Sequence, residues 1–292
     1  MSQYNLIVLD NLIMNSHVHG RTIICGSYTD VGAGVFGDQL TDANTGPKNL
    51  TLQINGGFNS SGDNNCKVQR GSMLISNPPY RNVAKVDNIK WSINNRQVTL
   101  NGGNEGAEVF HNSSINGTCV NMTNALIALS QDLANRSMSR NVIKAVDNKI
   151  NCIVNETDCN GVAVFNANAS DTWSRSDSKD FFLVMNIPNV TFVVLNIWGK
   201  NISSTNAKVN DGSMCSSSLP NGCGSVLWNF LEATTLRLTM DQGYGAMLAP
   251  YASSGSAQNV NFNGAIVMKS PNLNAETHFP LLVPPPCRTN CV

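Results

Sequence analysis

Phe181-Phe-Leu-Val-Met-Asn-Ile-Pro-Asn-Val-Thr-Phe-Val-Val-Leu-Asn-Ile-Trp198 runs for 18 residues without a charge, and its reading decides the fold. A membrane helix would carry Asn186, Pro188, Asn189, Thr191 and Asn196 into lipid, where unpaired polar groups are costly. Pro188-Asn189 instead splits the stretch into two apolar runs, Phe181–Ile187 and Val190–Trp198, each of strand length. Two buried strands around a Pro-Asn corner is the reading that follows, and no membrane insertion is expected.

The same grammar extends in both directions. Tyr4–Leu9, Arg21–Cys25, Asn49–Ile54, Ser72–Ser76, Ile89–Ile93 and Gln97–Leu100 are short runs bounded by Gly and Asn. On the C-terminal side the runs are Val162–Phe165, Ser225–Phe230, Thr234–Met240, Ala246–Leu248 and Asn259–Met268. Their spacing is irregular, yet it resembles the coils of a β-solenoid that turn at Gly or Asn. One segment differs. Met122, Ala125, Leu126, Leu129 and Leu133 fall at i, i+3, i+4, i+7 and i+11, which predicts one amphipathic helix over 121–134, with Asn121 or Thr123 as its cap. Its apolar face needs a β surface to cover. The fold class expected is mainly β, a single β-solenoid-like (β-helix) domain over residues 1–280 with one accompanying α-helix. Pro284-Pro-Pro286 lies in a Pro/Cys-rich C-terminal arm, 281–292.

Composition narrows the function. Lys+Arg and Asp+Glu are 19 each, and only 13% of the 292 residues are charged. A neutral chain has no electrostatic hold on nucleic acid or an anionic membrane. Its polarity comes from 42 Asn, with 28 Ser and 17 Thr. Ten N-x-S/T sequons, at Asn49, Asn59, Asn112, Asn116, Asn121, Asn135, Asn155, Asn168, Asn189 and Asn201, are candidate glycosylation sites. Asn121 and Asn189 are the least certain of them, one at a helix start and one between buried strands. Nine cysteines include three close pairs, Cys152/Cys159, Cys215/Cys223 and Cys287/Cys291, read as local disulfides. The sequence leaves Cys25, Cys66 and Cys119 without assigned partners, and the odd count leaves one thiol over. Sequons and cysteines together point to the secretory route and the cell surface, and a signal peptide would then precede this numbering.

Several segments carry a resemblance. Tyr4-Asn-Leu-Ile-Val-Leu leads to Ser16-His-Val-His-Gly-Arg21, and the helix near Leu126 follows. Val226-Leu-Trp-Asn-Phe230, Ala233-Thr-Thr-Leu236, Met247-Leu-Ala-Pro250, Asn261-Phe-Asn-Gly264, Val267-Met-Lys269 and His278-Phe-Pro280 complete the series in order. Together they resemble the choice-of-anchor A domain family. The resemblance implies a secreted surface domain, in some members adhesive, with a solenoid-like fold and no catalytic residues. The many cysteines and sequons depart from the bacterial pattern, as does the short Cys/Pro tail.

Other motifs weigh against chemistry. Gly32-Ala-Gly-Val-Phe-Gly37 has the dinucleotide spacing, but Gly46-Pro47 limits any following helix, so a corner is expected and no cofactor. His17 and His19 share one face of a strand, but neighbours in sequence supply no third ligand, and His111 and His278 are remote. No metal is therefore expected, and no catalytic acid–base or nucleophile constellation is visible. Ice binding would need flat ranks of Thr, which the dispersed threonines do not form. Trp91, Trp173, Trp198 and Trp228 could build a sugar platform, with Trp198 and Trp228 more at home in the core. The function expected is a self-associating structural glycoprotein of a coat or filament, not an enzyme. The alternative is a monomeric adhesin that binds carbohydrate, protein or matrix. The filament argument rests on an uncovered first strand, Tyr4–Leu9, and on Leu281-Leu-Val283 reaching a neighbour.

Overall fold

The computed structural model describes residues 3–32, 34–41, 48–60, 66–76, 82–100, 106–111, 114–175, 179–209, 215, 219–240 and 242–283. The domain is mainly β and solenoid-like. Ten strands stack in parallel to form one face: Val109–Phe110, Ser72–Ile75, Leu50–Ile54, Thr22–Ile24, Leu6–Val8, Ile266–Met268, Ala246–Ala249, Val226–Asn229, Phe192–Trp198 and Val162–Asn168. This is not the order of the chain. The first strand sits in mid-stack, with Leu6 opposite Thr22 on one side and Ile266 on the other. The chain winds outward to Val109–Phe110, crosses along the stack as a helix, Asn116–Ala134, and winds back from the far end. Its first and last coils meet at a seam.

That topology corrects the expectation of an uncovered N-terminal strand. Leu6–Val8 is buried throughout and hydrogen-bonded on both edges. The supposed arm is also held. Leu282 is buried under the helix layer, and the Val283 amide donates to the Gly224 carbonyl at 2.9 Å. The packed chain thus passes residue 281, while the Pro284–Pro286 run lies outside the described residues. The stack closes at each end on antiparallel strands, Val83–Lys85 with Lys90–Ile93 and Val142–Val146 with Lys149–Val154.

Two apolar layers hold the domain. Strand alternation sends Leu6, Val8, Ile24, Ile54, Phe165, Leu195 and Trp228 into the solenoid interior. Ile7, Ile23, Val164, Val194, Leu227 and Val267 point the other way, toward Cys119, Leu126 and Leu133 of the helix. Because both faces of this sheet are covered, its strands read as continuous apolar runs rather than as alternation. The helix begins five residues before the 121–134 prediction. Ile115 is its N-cap and makes no side-chain cap bond, so neither Asn121 nor Thr123 caps it.

Glycines let the coils stack at their corners. The Gly26 amide donates to the Asp10 carbonyl, and the Gly56 amide to the Gly26 carbonyl, at 2.7 and 2.8 Å. A Cβ at Gly56 would lie 2.6 Å from the Gly26 carbonyl carbon, so only glycine fits. Gly32 and Gly34 form a corner too: their amides donate to Asp30 Oδ1 at 3.0 and 3.3 Å. The strand Val35–Phe36 falls inside the glycine motif, where a dinucleotide site would need a helix.

Candidate functional site

The second and third faces of the solenoid carry the candidate surfaces. On the far half, one long strand per coil spans both faces. Pro271–His278 pairs with Leu12–Met14 at one end and with His17–Val18 at the other. Its burial alternates strictly, with Leu273, Ala275 and Thr277 inside and Asn272, Asn274, Glu276 and His278 outside. In-register pairing aligns Ser203, Arg237, Ser256, Asn272, Ile13, Thr29 and Asn59 in one row across seven strands. A second row aligns Thr205, Thr239, Gln258 and Asn274. At about 4.8 Å per strand, the long row measures roughly 29 Å. Its described outward groups are the hydroxyls of Ser203 and Thr29, the amides of Asn272 and Asn59, the Arg237 guanidinium and the aliphatic chain of Ile13, which is 40% exposed; Arg237 and Asn272 here, and Thr239 and Asn274 in the second row, are exposed. Both rows are mixed in residue type rather than ranks of threonine.

Where these faces cross the seam, ionisable side chains gather. Pairing of Thr277 with Val18 sets Glu276 beside His17 and His278 beside His19. The His19 and His278 rings stack with centroids 3.9 Å apart and planes 8° from parallel. His278 Nε2 donates to Glu276 Oε2 at 3.0 Å. Asp38, just past the Val35–Phe36 strand, puts Oδ2 3.8 Å from His17 Nδ1 and 3.9 Å from His19 Nε2. Glu276 Oε1 lies 3.9 Å from His17 Nδ1. Burial pulls the His19 imidazole below its usual pKa, against the pull of Asp38. The hydrogen bond from His278 holds the Glu276 carboxyl below its own usual range. The expectation of no third ligand for His17 and His19 is therefore corrected: the seam supplies Glu276 and His278 from about 260 residues away. Sequence distance hid this, because the chain closes on itself only after the whole outward and return path.

The expected modification sites are scattered, and one of them, Asn59, lies in the long row. Asn112 lies outside the described residues. Asn49, Asn59, Asn116, Asn121, Asn135, Asn168, Asn189 and Asn201 are exposed, so Asn121 and Asn189 are as open as the rest. Asn155 is the half-buried one, and its amide nitrogen is engaged by the Arg140 carbonyl at 2.7 Å. Asn116, Asn121 and Asn135 ride on or beside the helix, away from the rows described above.

Of the expected disulfides, Cys215–Cys223 forms, with Cα atoms 4.5 Å apart. Cys152–Cys159 does not. Cys152 points inward from Lys149–Val154 and is a free, fully buried thiol, whereas Cys159 sits on an exposed turn and is disulfide-bonded. The expected bridge between Cys287 and Cys291 is not observed among the described residues, because Cys287 and Cys291 both lie outside them. Burial pushes the Cys152 thiol up to about 12, so it is inert. Cys66 is likewise buried and free. Cys25 and Cys119 form a bridge that sequence spacing could not show, across 94 residues, tying the helix to the second coil. Trp228 and Trp173 are core, as part of an aromatic cluster with Phe181 and Phe230. Trp198 is not: it ends its strand beyond the partner Val226–Asn229 and stands 38% exposed.

Among solved structures, a glycosylated ice-binding protein (LeIBP) from an Arctic yeast matches with 8% identity and a TM-score of 0.37. The match covers 99% of this chain and 95% of that one. No curated protein matches. Residues 1–279 match the family described as "Putative Ice-binding-like adhesive domain" (pAdhesive_15), an adhesive-domain assignment coarser than the choice-of-anchor A resemblance. With nearly its whole length matched, the chain belongs to this family of ice-binding-like adhesive domains.

Proposed function

We propose that the domain works outside the cell as an adhesive module that lays its rows of amide and hydroxyl groups against a repeating polymer, an insoluble polysaccharide first. The single observation that carries this reading is the row from Ser203 to Asn59, held in register by seven parallel strands. A rigid row pays little ordering entropy on binding, and its period lets weak contacts add along a periodic ligand. Sequon placement points to the middle of this face. The strands Thr235–Met240, Ser254–Asn263, Pro271–His278 and Leu12–Met14 carry none, whereas Asn201 opens the strand of Ser203 and Asn59 closes the row at its other end. The disulfides and sequons support an extracellular location.

Co-sedimentation with chitin, cellulose and ice particles tests this. The domain is expected to partition onto a polysaccharide, and the double variant Asn272→Lys/Asn274→Lys to lose at least about tenfold in affinity. Both positions are exposed, so folding should survive. Equal binding by the double variant contradicts the choice of face. Partition onto ice alone contradicts the polysaccharide class.

A second reading, self-association, has its own observation. With the N-terminal strand enclosed, the surfaces left for an end-to-end contact are the terminal hairpins. They expose Val142 and Val146 at one end and Val86 and Ile89 at the other. Sedimentation analysis of a Val142→Asp/Val146→Asp variant would show loss of any higher-order species if these ends join.

A further inference from the structure

We propose that the seam cluster of His17, His19, His278, Glu276 and Asp38 is a binding site for one divalent transition-metal ion of the zinc class, which clips the first coil to the last. The inference is independent of which surface the domain adheres to.

The donor set fits such an ion. Three imidazoles and two carboxylates, with no thiolate, suit Zn²⁺ and its neighbours, whereas Ca²⁺ takes oxygen ligands alone. The ligand atoms of His19, Glu276 and His278 all lie within 4.8 Å of one another. A tetrahedral ion with ligand bonds of about 2.0–2.1 Å needs donors about 3.4 Å apart. The separations across the cluster, 3.0, 3.8, 3.9 and 3.9 Å, bracket that value. Shifts of about half an ångström bring each of these neighbouring pairs to that spacing.

The side chains have room to make that move. His17 and Glu276 are each 42% exposed, so both an ion and a small rotation are accommodated from the solvent side. The His19 and His278 rings lie face to face, with a ring nitrogen of each within 4.8 Å of the other's. Asp38 and Glu276 supply the negative charge that a dication needs.

The location gives the ion a structural task. The seam joins residues 5–19 to residues 266–278 with no covalent link among the described residues. Its hydrogen bonds include Asn5 Nδ2 to the His278 carbonyl at 2.8 Å and the His19 amide to the Thr277 carbonyl at 2.9 Å. An ion here would close a loop of about 260 residues, where a cross-link has most chain entropy to remove.

The test uses the untagged domain, stripped with a chelator and titrated with ZnCl2 by calorimetry at about pH 7.5, with CaCl2 as a control. One zinc per chain is expected, together with a rise in Tm and no response to calcium. His19→Gln and Glu276→Gln should each weaken zinc binding by at least about tenfold, and His111→Gln should leave it unchanged. His17→Gln, at an exposed position, replaces His19→Gln should that variant not fold. Absence of saturable zinc binding by the parent overturns the proposal. So does binding that survives His17→Gln and Glu276→Gln, or binding that falls with His111→Gln.

Discussion

Asn229, Asn196 and Asn166 occupy the same register position on three successive strands. Their amides form a ladder: Asn229 Nδ2 donates to Asn196 Oδ1 at 2.8 Å, and Asn196 Nδ2 to Asn166 Oδ1 at 3.0 Å. The same amides reach the Ser130, Leu133 and Arg136 carbonyls at 2.9, 2.8 and 3.3 Å. Two of these carbonyls lie in the last helical turns, and Arg136 follows just past the helix end, so the ladder ties the C-terminal end of the helix to the sheet. It also fixes where the helix docks. Replacing Asn229 with Ala leaves buried acceptors unpaired, and should cost about 1–3 kcal/mol in chemical denaturation. In sequence these residues read only as polar interruptions of apolar runs. The period of a solenoid coil, which varies here, is what places them side by side, and no local pattern announces it. Strand interiors were legible for the opposite reason: Val193–Leu195 and Val226–Leu227 are apolar because both faces of their sheet are covered.

The helix was legible from its 3.6-residue period, and its covering role from the need to bury that stripe. What spacing could not give was its tether, Cys25–Cys119, because the partners are 94 residues apart. Nor did it give the strand Pro271–His278, whose inward residues include the small Ala275 and the polar Thr277 rather than a large apolar set. Removing the tether with a Cys25→Ser/Cys119→Ser double variant should cost about 2–5 kcal/mol, more than loss of the short Cys215–Cys223 loop, since the closed loop is longer. Thermal melts with and without reductant would rank the two. The seam strands make a separate prediction, best read in chelator. Both His19 and Glu276 have folded-state pKa values below their ordinary ones, so their contribution is complete above about pH 6.5 and is lost as pH falls. Tm should therefore decline on acidification from about pH 6.5, and the His19→Gln variant should show a shallower decline over the histidine part of that range.

Taken whole, the molecule is a stack whose first and last described strands lie near its middle, with antiparallel hairpins at both ends. From the sequence alone, the first strand was expected to stand as an open end; Leu6–Val8 is instead enclosed between two strands. One side of the stack presents the row through Arg237 and Asn272, opposite in character to the helix-covered face. Its use as the adhesive surface is the central claim, and one substitution tests it directly. Arg237→Asn converts Arg237-Leu238-Thr239 into an N-x-T acceptor within the row. Made in a glycosylating host, with intact mass confirming the added sugar, the variant carries a bulky wedge where contact is claimed. The decisive measurement is its polysaccharide-binding isotherm beside those of the parent and of the same variant made without glycan. Loss of binding by at least about tenfold, confined to the glycosylated form, is the predicted result; an isotherm that matches the parent despite the attached glycan would contradict the claim.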